Sequence, residues 1–182
     1  MHDLFSVKDK VVLITGSSRG LGAGFAFGFA EHGAKVIING TNQEAVRQTV
    51  QAIKAKGGQA AGYAFDITNS QQVILKIAAI EEEVGPIDVL INNAGIHRRA
   101  PLEEMSEADW RQVIDLNLNA AFIVSKYVAQ GMIARRQGKI INITSLMAEG
   151  ARSSTGNYAA AKGGLKMLTK AMATEWGKFN IQ

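Results

Sequence analysis

Apolar residues along this chain fall into short runs, separated by longer stretches in which they recur every three or four positions. The runs are KVVLIT (residues 10–15), AKVIIN (34–39), AAGYAF (60–65), IDVLIN (87–92) and KIINIT (139–144). Each has strand length, and the Val/Ile-rich ones read as strands buried on both faces of a sheet. The stretches between them predict helices beginning near Leu21, Asn42, Ser70, Ser106 and Asn157. Strand and helix alternate throughout, and a strand followed by a crossover helix builds a parallel sheet. The pattern therefore predicts a doubly wound α/β fold with one parallel sheet, in a single domain over residues 1–182. Gly33, Gly57 with Gly58, Gly85 before Pro86, and Gly138 all stand after a helical pattern and before a strand, where chains turn. No repeat, low-complexity tract or linker divides the chain. Its last residues, WGKFNIQ, leave a helix and begin another strand pattern, so the C-terminal part of the fold is expected to be absent from this chain.

Composition narrows the function classes. A 47% hydrophobic content over 182 residues suits one folded domain and argues against a disordered chain. With 20 Lys+Arg against 16 Asp+Glu, the formal charge of +4 favours phosphorylated or carboxylate ligands, but no dense basic run suggests a nucleic-acid partner. The absence of cysteine excludes disulfides and thiolate metal sites, and the scattered His2, His32 and His97 give no basis for a metal centre. The charged opening MHDLFSVKDK lacks the apolar core of a signal peptide. No apolar run reaches the roughly 18 residues of a membrane span. The expectation is a soluble, cytoplasmic protein with no membrane partner.

The candidate chemistry begins directly after the first strand, in TGSSRGLGAG, which sets Gly16, Gly20 and Gly22 between a strand and a helix. Glycines let the backbone turn tightly and let a pyrophosphate approach, and the helix N-terminus favours the anion. A second candidate is the pair Tyr158 and Lys162 in GNYAAAKGGLKM. Residues four apart share a helix face, so phenol and ammonium point the same way. A free phenol titrates near pH 10, too high for a base at neutral pH unless a cation such as Lys162 stabilises the phenolate. Ser145 follows the fifth strand, on the sheet edge where open α/β folds bind ligands, and its hydroxyl can hold a substrate oxygen. The second strand ends in INGTN, with Gly40 and Thr41 where an NAD-binding acid would stand, and Arg19 in the glycine turn can pair with a 2'-phosphate. NADP is the expected cofactor.

Thr15-Gly16-x3-Gly20-x-Gly22, NNAG at residues 92–95, DLNL at 115–118, Ser145 and Tyr158-x3-Lys162 occur in the order found in the short-chain dehydrogenase/reductase family. The chain resembles that family from end to end, and the resemblance implies a Rossmann-like fold and an NAD(P)-dependent enzyme acting on CH–OH groups without a metal. It implies that Tyr158 is the acid/base of a reversible alcohol oxidation, with Ser145, Lys162 and Asn117 as its partners. Asn117 resembles the residue that kinks a helix and positions a relay water. The implied cofactor set is Gly16, Ser18, Arg19, Gly20, Leu21 and Gly22 in the turn, then Asn39, Gly40 and Thr41, Asp66 and Ile67, Asn93, Ala94 and Gly95, with Tyr158 and Lys162 at the nicotinamide end. Asp66 resembles the family's adenine contact, a residue type that also caps turns. Relatives often carry an Arg in the position of Thr41, and its absence leaves NAD possible. Relatives are longer, which implies a missing sixth strand, substrate loop and last strand. They are mostly tetramers that pair the helices of residues 106–132 and 157–178.

The segment NNAGIHRRAPLEE bears on the substrate. Together with the DLFS opening, GPIDVLINNAGI and KGGLKMLTK, it resembles the gluconate 5-dehydrogenase branch of the family, which implies a sugar-acid substrate oxidised with NADP. A carboxylate can be gripped by Arg through two parallel hydrogen bonds, making Arg98 and Arg99 substrate candidates, with Arg152 and Glu149 as further ones. Two alternatives remain. Another reductase of the family, such as a 3-oxoacyl carrier-protein reductase, would keep the same catalytic residues, whereas the intact Ser-Tyr-Lys set argues against a cofactor-binding regulator without turnover.

Overall fold

Five strands, β1 (Val11–Ile14), β2 (Lys35–Gly40), β3 (Gln59–Ala64), β4 (Val89–Asn92) and β5 (Lys139–Asn142), pair in parallel in the order β3-β2-β1-β4-β5. This is the expected doubly wound sheet, in a computed structural model that describes residues 5–182. His2 and the first two residues of the DLFS opening lie outside the described residues. The six helices are α1 (Gly20–Glu31), α2 (Gln43–Ala55), α3 (Ser70–Glu83), α4 (Glu107–Ile114), α5 (Ala120–Arg135) and α6 (Gly156–Trp176).

Alternation along the strands divides the core into two layers. Val12, Ile14, Val36, Ile38, Val89 and Ile91 face α1 and α2, packing on Ala26, Ala30, Val46 and Ile53. Val11, Leu13, Ile37 and Leu90 face the other way, onto Val73, Ile77 and Ile80 of α3 and Val124, Val128 and Met132 of α5. Burying each such aliphatic side chain contributes about 1.5–3 kcal/mol, which is why these runs form central strands. Three of the helix starts follow from side-chain caps. Asn42 accepts from the Ala45 N–H, Asn69 from Gln71 and Gln72, and Ser106 from Asp109. Gly33, Gly57 and Gly85 adopt φ of 83°, 82° and 127°, the left-handed region that favours glycine. Gly138 is glycine for another reason, since a Cβ there would run into the Met132 side chain.

The strand pattern at the chain's end also forms. Ile181 makes a parallel bridge to Gly138, and the Ile140 N–H donates to the Gln182 carbonyl at 2.8 Å, so this segment pairs alongside β5. Strand order reverses between β1 and β4, so the connections leaving those strands part company above their C-terminal ends and open a crevice there.

Candidate active site

The loop after β1 enters that crevice. Gly16 and Gly20 hold φ of 63° and 58°, which explains glycine at both places. A Cβ on Gly22 would lie 2.6 Å from the Gly16 carbonyl oxygen and 2.9 Å from Ser17 Cα, so α1 can start this close to the turn only without a side chain there. The turn is braced from below. Ser17 Oγ donates to the Ile14 carbonyl at 2.6 Å and accepts from the Asn39 N–H at 3.0 Å. Asn39 Oδ1 accepts from the Gly16 N–H at 3.2 Å, and its amide donates to the Phe65 carbonyl at 3.1 Å. On the other side Thr15 Oγ1 accepts from the N–H groups of Asn93 and Ala94 at 3.0 and 3.1 Å. The Asn93 amide returns to the carbonyls of Thr15 and Gly16. The glycine turn and the NNAG loop are thus one rigid unit.

Above this unit lies a cleft of about 630 Å³ that runs from the turn along the ends of β2, β3 and β4. Every expected cofactor residue except Tyr158 and Lys162 lines it. A dinucleotide fits the donor set. Arg19, at the N-cap of α1, makes no side-chain cap bond, which leaves the first amides of the helix open to an anion. Gly40 bears on cofactor choice, because the position holds no carboxylate, and a Cβ there would fall 2.7 Å from Ser18 Oγ, so that any side chain would require the Ser18 hydroxyl to move. Asp66 lines the cleft while its Oδ1 accepts from the Thr68 N–H and hydroxyl at 2.9 and 2.8 Å, so the turn-cap role expected of its residue type is present. Asn39 lines the floor with its amide already committed to the brace.

At the far end of the crevice, Tyr158 and Lys162 lie on the first turns of α6. Lys162 is 3% exposed, and its ammonium donates to the Ile143 carbonyl at 2.7 Å, two residues before Ser145. It sits 5.6 Å from the centre of the Tyr158 ring. Burial pushes its pKa down to about 8. Ser145 Oγ accepts from the Met147 N–H at 3.2 Å, which orients the hydroxyl and leaves its hydrogen free to be donated. Asn117 is buried at the centre of a π-helical segment, Asp115–Asn119, that joins α4 to α5. Its amide donates to the Val113 carbonyl in its own helix and to the Ile96 carbonyl across the site, both at 2.9 Å. A side chain reaching into the helical ladder in this way widens it locally. Asn117 Oδ1 is buried without a hydrogen-bond partner. An orphan acceptor beside Lys162 and the NNAG loop marks a place for a donor.

The substrate candidates separate. Arg98 turns to α4, with Nε 3.1 Å from Gln112 Oε1 and 3.7 Å from Asp109 Oδ1. Arg99 is exposed, and its charge is felt at His97, whose ring stacks on Tyr158 with centroids 4.6 Å apart and planes 11° from parallel. Arg152 is exposed in the loop between β5 and α6. Glu149 in the same loop pairs with Lys166 of α6, which holds its carboxyl below the usual range. Sequence reasoning did not single out Ser17, His97 or Asn157. Asn157 is fully buried, donates to the Arg98 carbonyl at 3.0 Å and accepts from the Tyr158 N–H at 2.7 Å. A polar residue directly preceding Tyr158 was the one available signal.

A parallel sheet with an anion-ready glycine turn at its switch point, and a buried lysine beside a tyrosine at the crevice end, defines a dinucleotide-dependent oxidoreductase acting on a CH–OH group. Residues 10–182 match the family described as short chain dehydrogenase. Over 181 residues the chain is 50% identical to a 2-dehydro-3-deoxy-D-gluconate 5-dehydrogenase of Formosa agariphila, covering 99% of this chain and 69% of that protein. Over 180 residues it is 48% identical to a gluconate 5-dehydrogenase of Gluconobacter oxydans, covering 99% and 70%. A solved structure of a gluconate 5-dehydrogenase from Burkholderia cenocepacia, in complex with NADP and tartrate, matches with a TM-score of 0.95 at 43% identity, over 98% of this chain and 70% of that one. The chain belongs to the short-chain dehydrogenase family. Among the described residues no helix is long and apolar enough to cross a membrane.

Proposed function

We propose that residues 1–182 act as one dinucleotide-binding catalytic domain that oxidises a secondary alcohol of a sugar acid, gluconate to 5-keto-gluconate, reversibly with NADP. The observation that carries the substrate is the 48–50% identity, over nearly the whole chain, to two dehydrogenases of gluconate-type acids. NADP is supported by Arg19 at the open start of α1 and by the absence of a carboxylate at Gly40 and Thr41. When bound, the nicotinamide supplies the hydride acceptor and donor.

The chain's own residues handle the proton and the orientation. Tyr158 takes the proton from the alcohol in oxidation and returns it in reduction. The Lys162 ammonium, held by the Ile143 carbonyl, places a positive charge near the Tyr158 phenol, and the Ser145 hydroxyl donates to the substrate oxygen. Asn117 offers its unpartnered Oδ1 to a relay water. Arg99 is the better placed of the adjacent arginines to hold the substrate carboxylate, because Arg98 is engaged on α4; Arg152 lies at the opposite loop. Trp110, Phe122 and Met167 are 38%, 47% and 60% exposed on α4, α5 and α6, which supports contacts between copies through those helices, and the homotetramer is the assembly the family resemblance implies. We place the enzyme in the cytoplasm.

The test follows reduced-cofactor formation with NADP and NAD over a panel of polyol acids and acyl thioesters, with Tyr158→Phe as control. Turnover of gluconate with NADP, lost in Tyr158→Phe while cofactor still binds, is the expected result. Turnover of acyl thioesters and of no sugar acid overturns the substrate, and near-normal activity of Tyr158→Phe overturns the acid/base assignment.

A further inference from the structure

His97 has no part in the chemistry so far, yet it is fixed more firmly than any substrate candidate. The carbonyls on either side of it are tied down, that of Ile96 by the Asn117 amide at 2.9 Å and that of Arg98 by the Asn157 amide at 3.0 Å. Its ring therefore has a fixed origin, and it lies flat on the Tyr158 ring, 4.6 Å between centroids. Offset stacking of this kind is worth more than the area it buries and fixes the plane of both rings.

The two ring nitrogens differ. Nδ1 is buried and makes no hydrogen bond. A proton placed there would find no well-formed hydrogen bond, the Arg98 carbonyl being near but already held by Asn157, so a bare lone pair is the less demanding occupant. The proton therefore belongs on Nε2, the nitrogen that is not closed off. Burial, reinforced by the charge of Arg99 and opposed by the Arg98 backbone, lowers the pKa of the ring and so favours its neutral form. What remains is a single N–H donor at a set position beside the phenol that meets the substrate.

We propose that His97 is a specificity-determining residue, a neutral imidazole laid on the Tyr158 ring that donates Nε2–H to a hydroxyl oxygen on a carbon flanking the reacting one. The identity of the hydroxyl rests on the sugar-acid reading above; the tautomer and the stacking do not. The recognised class is a polyol chain, since a simple ketone or a fatty thioester carries no oxygen at that place.

The test compares gluconate with analogues lacking the hydroxyl on either flanking carbon, using wild type, His97→Phe and His97→Gln. His97→Phe keeps the plate and removes the donor. We expect kcat/KM for gluconate to fall about threefold to tenfold in His97→Phe, the worth of one hydrogen bond. One of the deoxy analogues should show no such fall, and NADP affinity should be unchanged. An equal loss on all substrates, or no loss on any, overturns the proposal. Nitrogen-15 NMR of the histidine rings in the NADP-bound enzyme reads the tautomer without turnover. Nε2–H with bare Nδ1 at neutral pH is expected, and a proton on Nδ1 or an imidazolium overturns the proposal whatever the substrate proves to be. If wild type turns over no sugar acid while His97 shows the expected tautomer, the sugar-acid reading fails and the donor stands.

Discussion

Gly95 and Asn117 meet directly across the site: a methyl group on Gly95 would overlap Asn117 Oδ1 and stand 3.9 Å from Lys162 Nζ. The end of the NNAG loop, the π segment and α6 therefore converge where only a glycine fits. Gly95→Ala should push the Asn117 amide off the Ile96 and Val113 carbonyls, costing about 1–3 kcal/mol in overpacking. Activity should fall at least tenfold if the displaced group acts in the proton relay proposed above. Thermal melting and kcat measured together check this, and an unchanged kcat in a folded variant would mean that the contact relaxes without consequence.

Lys162 links this region to stability. Its pKa of about 8 in the fold returns to 10.5 on unfolding, so between those values the unfolded chain binds the extra proton. The destabilisation is fully present below about pH 8, and the contribution of this group to stability rises with pH until about 10.5. Lys162→Met should therefore stabilise the protein at neutral pH. The gain is about 1–2 kcal/mol net, after the loss of the bond to the Ile143 carbonyl. It should shrink above pH 8 while turnover is abolished. Melting temperatures of both proteins across pH would show converging curves, and parallel curves would sink the assignment.

The sheet and the glycine turn are legible in the sequence because their causes are local. Val/Ile runs such as Val11–Ile14 have no other stable place than between two helical layers, and Gly16 and Gly20 sit where φ is positive. The π segment is legible only through the family resemblance, which implies a kink at Asn117, and not from the local pattern. Asp115–Asn119 continues the helical period without a break, and what widens it is the Asn117 amide reaching Ile96, 21 residues away in the chain. Nor could sequence separate Arg98 from Arg99. Adjacent residues of one type differ only in what lies opposite, and Gln112 and Asp109 are brought to Arg98 by the start of α4. The stacking of His97 on Tyr158 joins positions that no spacing rule connects.

Arg19 bears the cofactor prediction. It is exposed at the open N-terminus of α1, and charge-assisted hydrogen bonds from it to a 2'-phosphate would be worth about 1.5–3 kcal/mol. Arg19→Ala should weaken NADP binding about tenfold to a hundredfold and leave NAD nearly unaffected. Titration of both reduced cofactors by fluorescence measures the ratio. Equal losses for the two would show that Arg19 contacts the shared pyrophosphate instead.

Arg98 and Arg99 offer the sharpest contrast within the loop after β4. The Arg98 guanidinium is half-exposed and engaged by Gln112 and Asp109, so removing it should change stability by less than about 1 kcal/mol, as for other surface pairs. Its effect on KM should be small. Arg99 has its charge beside the His97 ring that stacks on Tyr158, and a carboxylate gripped by its planar fork loses about 1.5–3 kcal/mol of binding on truncation. Arg99→Ala should therefore raise KM for the sugar acid tenfold or more with little change in kcat, because the carboxylate is held alike in the ground and transition states. Arg99→Lys should recover only part of this, a point charge lacking the bidentate geometry. A larger KM effect from Arg98→Ala than from Arg99→Ala would mean that substrate draws Arg98 off α4, and would transfer the carboxylate site to it.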